Sequence, residues 1–217
     1  MNPDGPDYEK ERLRELESYN IMDSETEEDF DNLASLASEI CKTNISMVSL
    51  LDDKRQWFKS TCGFNVRETP KEQAFCAQAI KNPNEPFIVP DARKDHRFSD
   101  NPLVVADPFV VFYAGIPLIS ENGFPLGTLC VLDHKPKELS KEQLESITWA
   151  RAPVVACSGG FGEVREQLAE LLHRREALVA AGGGDLDPGQ FFAGHGFEPG
   201  RGPGHAVEHG GPHVDEE

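Results

Sequence analysis

The sequence has little that would take it to a membrane, to nucleic acid or into an oxidising compartment. No apolar run approaches the ~18–20 residues that span a bilayer. The N-terminus, MNPDGPDYEKERLRELES, is acidic and polar where a secretory signal would be basic and then apolar. Positive charge is scarce: 21 Lys and Arg stand against 38 Asp and Glu, a formal net charge of −17. The imbalance is concentrated in residues 1–31, which hold 12 acidic and 3 basic side chains. Such a surface repels phosphate backbones and anionic lipid and keeps a chain in solution, so it argues against nucleic-acid and membrane partners. Paired cysteines are missing as well. Cys41, Cys62, Cys76, Cys130 and Cys157 are odd in number and widely spaced, with no CxxC, so zinc ribbons and thioredoxin-like redox motifs drop out. Reduced thiols used as small core residues in a soluble, cytoplasmic chain are the expectation.

What is present reads as one α+β domain with extensions. Residues 8–18 carry a short helical stripe, Leu13 and Leu16, among charges. A second helix is predicted from near Thr26, where Ser24 to Glu27 or Thr26 to Asp29 offers capping-box spacing. Phe30, Leu33, Ala37, Ile40 and Cys41 then give that helix one apolar face. NISMVSLLDD (44–53) reads as a buried strand and RQWFKSTCGF (55–64) as its antiparallel partner. KEQAFCAQAI (71–80) reads as a helix and PFIVPD (86–91) as a brief strand. The polar stretch that follows is a loop with short helical pieces. FVVFYAGIPLI (109–119) and PLGTLCVLD (125–133) are strands around Asn122-Gly123, a strong hairpin signal. Another helix is predicted from Ser140. Strands and helices grouped this way fit an antiparallel sheet with attached helices, not a doubly wound parallel sheet.

With the elements placed, six stretches resemble the GAF-domain family in order. They are FDNLASLASEIC, SMVSLLDDKRQWFKSTCGF, ETPKEQAFCAQAI, IVPDARKDHRFSDNPLV, FYAGIPLI and GFPLGTLCVLDHKPKELSKEQ. The resemblance is to the bacterial subgroup found at the N-terminus of sensor histidine kinases and diguanylate cyclases. It implies an antiparallel sheet of about six strands flanked by helices, with a ligand cavity between the sheet and the segment 73–113. It also implies a sensor in two-component or cyclic-nucleotide signalling that binds an unknown small molecule, acts as a homodimer through its terminal helices and signals to a downstream protein. Fold alone does not choose the ligand. The corresponding organisation is an N-terminal helical extension at 1–19, the GAF domain at 20–150, an interrupted helix at 151–181 and a tail at 182–217.

The candidate pocket residues are Phe75, Cys76, Gln78, Arg93, Phe98, Asn101 and Tyr113. Arg93, Lys94, His96 and Arg97 form a cationic cluster in an acidic chain, and a guanidinium can hold an anion bidentately. Alternatively Arg93 and Arg97 bridge Asp91, Asp95 and Asp100 and brace the loop, which is the favoured reading. Cyclic-nucleotide binding would draw on Arg93 with Gln78 or Asn101, but DARKDHRFSD does not match the Asn-Lys-x-x-Phe-Asp pattern of that branch. Tetrapyrrole-binding relatives attach their chromophore at a cysteine followed by histidine. Here Cys76 precedes Ala77, and Gln78 stands where the subgroup often has histidine, which argues against a covalent bilin. Methionine-sulfoxide reductases of this fold, the enzyme alternative, need a Cys-Gly pair and a second cysteine beside aspartate. Cys76 has neither, so a non-catalytic role is expected. A ligand-free dimerisation module is the remaining alternative.

The resemblance ends near residue 150. ARAPVVACSGGFG places Pro153 and Gly159-Gly160 where the family's helix continues, and the stripe Val164, Leu168, Leu171 and Leu178 lasts only about two heptads. A shift of reading frame in a longer sensor-kinase gene would explain the change, and translating the other two frames tests that idea. Residues 182–217 hold 11 of the 19 glycines and four prolines, with few large apolar side chains, so they are predicted to be disordered. His195, His205, His209 and His213 lie there without a scaffold to fix metal geometry, and no metal site is expected.

Overall fold

A computed structural model of the chain describes residues 5–150. The interrupted helix expected over 151–181 and the disordered tail expected over 182–217, with Cys157 and the histidine tract, lie outside the described residues. The chain opens with helix α1 (Pro6–Ser18), where Pro6 occupies the first turn, and continues with α2 (Glu28–Cys41). Strands β1 (Ile45–Leu51) and β2 (Arg55–Cys62) follow, then a short β3 (Glu68–Pro70). A 3-10 turn (Lys71–Gln73) leads into the single helical turn α3 (Cys76–Ala79) and then β4 (Phe87–Val89). A second 3-10 turn (Ala92–Lys94) and the turn α4 (Pro102–Val105) precede β5 (Phe112–Ile119), β6 (Pro125–Asp133) and α5 (Lys141–Ala150).

The strands form one six-stranded sheet in the order β3-β2-β1-β6-β5-β4. All the neighbours pair antiparallel. This is the GAF-type arrangement implied by the sequence motifs. The central strands β1 and β6 are buried along their whole lengths because both sheet faces are covered. Strand periodicity sorts their side chains. Val48, Leu50, Trp57, Ile116 and Leu129 pack on Phe30, Leu33 and Ala37 of α2 and Ile147 of α5. Ile45, Met47, Phe58, Tyr113 and Leu132 point the other way, against Phe75, Phe98, Val104 and Val110. Helices therefore cover one face, and the 71–111 segment covers the other.

Two local expectations stand, the helix predicted from Ser140 and the turn at Asn122-Gly123. Ser140 and Gln143 form a reciprocal capping box at the start of α5, with Gln143 N–H donating to Ser140 Oγ (3.2 Å) and Ser140 N–H to Gln143 Oε1 (3.0 Å). The β5–β6 hairpin turns at Gly123, whose φ of 83° lies in the left-handed region.

Others are corrected. The capping box at α2 does not form: Glu27 is the N-cap and makes no side-chain cap. The fully buried Lys59 ammonium draws those groups away, donating to Ser24 Oγ (2.7 Å), to the Glu25 carbonyl (2.8 Å) and to the Glu27 carboxylate. The helix predicted over 71–80 is broken. Ala74 is extended (ψ 122°), and the Gln73 carbonyl beside the break accepts from Asn101 Nδ2 at 2.9 Å instead of continuing a helical ladder. The strand predicted from 109 starts at Phe112, because Phe109 sits at φ 55°. The sixth strand, β3, was not located among the individual sequence elements.

Candidate functional site

Beneath the 71–111 cover the second sheet face carries a column of aromatic rings. Phe75 lies one residue before α3 and stacks on Phe98, with centroids 4.1 Å apart and an interplanar angle of 14°. It also stacks on Tyr113 of β5, at 5.0 Å and 20°. Phe87 meets Phe98 edge-on at 6.1 Å. The Arg97 guanidinium closes the outer side, 4.8 Å from the Phe87 centroid and 5.4 Å from that of Phe98. At the base, Tyr113 OH lies 3.4 Å from Thr128 Oγ1, which is 3.0 Å from Ser49 Oγ. Burial pushes the Tyr113 phenol above its ordinary pKa, so it stays a neutral hydrogen-bonding group.

Beside this column lies a cavity of about 20 Å³. That is room for about one water molecule. Its walls include Met47, Phe58, Phe64, Phe75, Leu103 and Val110. The polar side chains on it are Gln56 and Thr69, in hydrogen-bond contact at 3.3 Å, together with Tyr113. No charged side chain stands among the described residues that line it.

The structure thus brings together Phe75, Phe98 and Tyr113 of the residues proposed from sequence, and places the other four elsewhere. Cys76 is fully buried and packs with Leu51 and Ala74. Burial raises its pKa well above the ordinary thiol value, as it raises that of Cys130 to about 12. Thiol chemistry runs through the thiolate, which this environment disfavours. Gln78 is half-buried and accepts from Lys81 Nζ at 2.9 Å. Arg93 is exposed and bidentate on Asp91, at 2.8 and 2.9 Å. Arg97 is bidentate on Asp95 in the same way, at 2.9 and 2.6 Å. The arginine partners hold both carboxyl groups down to about 2. These are the loop-bracing pairs, formed with Asp91 and Asp95. Asn101 caps α4 through Oδ1, which accepts from the Leu103 N–H at 2.9 Å, while its Nδ2 holds the Gln73 carbonyl. It fastens the two pieces of the cover to each other.

Sequence reasoning missed Gln56, Phe58 and Thr69. Gln56 and Phe58 share a parity in RQWFKSTC that alternation could have assigned to this face. Thr69 lies on the unlocated β3. Among the described residues no group of three His, Cys, Asp or Glu side chains could hold a metal, and no helix is long and apolar enough to cross a membrane.

No family profile matches the chain. Over 135 residues it is 38% identical to a cyclic di-GMP phosphodiesterase of Pseudomonas aeruginosa, a match covering 62% of this chain. The match spans only 23% of the length of that curated relative. Among solved structures, the GAF domain of an Acinetobacter phosphoenolpyruvate-protein phosphotransferase is similar at 16% identity and a TM-score of 0.48, with 74% of this chain and 95% of that one covered. The GAF domain of Thermosynechococcus elongatus PixJ in its blue-light absorbing form is similar at 15% identity and a TM-score of 0.46, covering 78% of this chain and 94% of that one.

Proposed function

We propose that this GAF-type domain is a sensory module: it binds a small, neutral, largely apolar molecule beneath the 71–111 cover and relays that binding to a signalling partner. The observation that carries the reading is the make-up of the compartment wall, which is aromatic and aliphatic with the Gln56–Thr69 pair as its polar handle. Apolar surface moved into such a wall gains roughly 25 cal/mol per Å². A phosphate-bearing ligand would be stripped of water with no cation to receive it, because Arg93 and Arg97 are bound to Asp91 and Asp95 outside the cavity. In this reading residues 20–150 are the sensory unit, 1–19 an attached helix, and the assembly a cytoplasmic homodimer through terminal helices. The likeness to the Pseudomonas protein supports a place in second-messenger signalling.

The closed cavity is too small for such a ligand, so the cover has to move. Residues 102–110 are the part suited to it. Val105 and Phe109 are exposed there, and Phe109 holds a left-handed φ of 55°, which is strained for an aromatic residue. A ligand shifts the cover only as far as it binds open and closed forms with different affinity.

Equilibrium dialysis of a small-molecule extract of the native host against the full chain tests this, with Leu103→Trp as the cavity-filling variant. A neutral compound enriched by the wild type and lost in the variant is expected. Enrichment of a phosphate ester, or of nothing, overturns it. The small cavity volume of about 20 Å³ favours a second reading, a ligand-free dimerisation module. That reading predicts an unliganded dimer in sedimentation, with no compound enriched.

A further inference from the structure

We infer that Glu9 joins the cover of the compartment to helix α1, making α1 the element that reports the state of the cover. The inference rests on the sensory reading for what moves the cover, but the linkage itself exists without a ligand. Leu16 of α1 belongs to the helix-side core and Phe75 to the core on the opposite sheet face. A chain of charge-assisted hydrogen bonds passes between them at the sheet end. Lys71 Nζ donates to Glu9 Oε1 at 2.8 Å, and the Glu9 carboxylate takes both Arg12 Nε (2.7 Å) and Nη2 (2.9 Å). Arg12 is 1% exposed, and its Nη1 donates to the carbonyls of Leu51 (2.8 Å) and Pro125 (3.4 Å), at the ends of the two central strands. On the cover side, Lys71 opens the turn that ends at Gln73, whose carbonyl receives Asn101 Nδ2, and Asn101 caps α4. One connected polar path therefore runs from α4 to α1. The bidentate Arg12 pair fixes the Glu9 carboxylate on α1, and the Lys71 Nζ bond at 2.8 Å is the contact through which displacement of the 71–73 turn reaches it.

Hydrogen exchange of the full chain tests the linkage. Lys71→Met removes a single half-exposed ion pair and leaves Arg12 and Glu9 joined, so the fold is retained, which protection of β1 and β6 verifies. The expected result is that amide exchange rises about tenfold over 6–18 as well as over 71–80, a size typical of coupled sites. Asn101→Ala, made at the far end of the path, is expected to raise exchange in α1 too. Glu11→Gln on the same helix removes only the Arg14 partner and is expected to leave the cover unchanged. Exchange that rises only next to each substitution overturns the inference. If dialysis finds no ligand while Lys71→Met and Asn101→Ala still loosen α1, the sensory reading fails and the linkage survives.

Discussion

Phe75→Ala is the substitution that most directly probes the compartment. The ring is 2% exposed and stacked between Phe98 and Tyr113, at 4.1 and 5.0 Å. Its removal enlarges the existing cavity by about 100 Å³, and at about 24 cal/mol per Å³ the void costs about 2.4 kcal/mol. Lost transfer free energy adds about 2 kcal/mol. The total, about 4 kcal/mol, lies within the usual range for a buried phenylalanine. Urea unfolding of the full chain, followed by far-ultraviolet circular dichroism, measures it as a shift in midpoint at constant slope. The enlarged cavity is walled mainly by aromatic and aliphatic side chains, so indole at ten times its dissociation constant is expected to restore about 1.4 kcal/mol. Indole is expected to have no effect on the wild type, where the cavity of about 20 Å³ is too small to admit it. A loss below about 2 kcal/mol, or no rescue by indole, refutes the described packing of the column.

Other elements respond in distinct ways. Gly127→Ala would set a Cβ 1.9 Å from the Ser49 carbonyl oxygen in the centre of the sheet. It is expected to cost about 3–5 kcal/mol in the same unfolding assay through overpacking and broken ladder bonds, whereas Gly123→Ala, with open space around it, costs about 1 kcal/mol for its φ alone. Glu27→Ala leaves the 0% exposed Lys59 without its carboxylate and is expected to cost about 3 kcal/mol. Lys59→Met removes the buried charge itself, so a thermal melt should show the smaller loss for that variant. The Glu9 carboxyl is held down to about 2, chiefly by Arg12 and further by Lys71, from an unfolded value of 4.5. Its contribution is therefore complete above about pH 4.5 and is lost as pH falls toward 2. Because Glu9 is 40% exposed, screening reduces that contribution to about 1 kcal/mol. Glu9→Gln should correspondingly flatten the acid limb of the stability profile.

The periodic elements were legible because burial writes its period into the chain. The apolar stripe of α2, the buried strand β1 with its antiparallel partner β2, and the Asn122-Gly123 turn all lie where their residues predict. Three-residue β3 has too few positions to show a period, and it ends in Pro70, a residue tolerated at a sheet edge. The capping box failed through a partner 35 positions away in sequence, Lys59, which no local pattern reveals. At the candidate site the aromatic members were legible as apolar residues of the cover and of β5. The arginines were harder to place, since a guanidinium reads alike whether it faces a ligand or its own loop. The repeated Asp-x-Arg spacing, Asp91 to Arg93 and Asp95 to Arg97, was the available signal, because at that spacing each pair closes on itself. Gln56 and Thr69 were hidden for a different reason: they meet only through β2–β3 pairing, Gln56 opposite Thr69.

Native mass spectrometry of the full chain purified from its own host, compared with the denatured mass, tests the central claim most directly. The account predicts a non-covalent, neutral small molecule that is lost on denaturation and absent from Leu103→Trp. A clean unliganded mass, with the host extract added and Leu103→Trp indistinguishable from wild type, would contradict it.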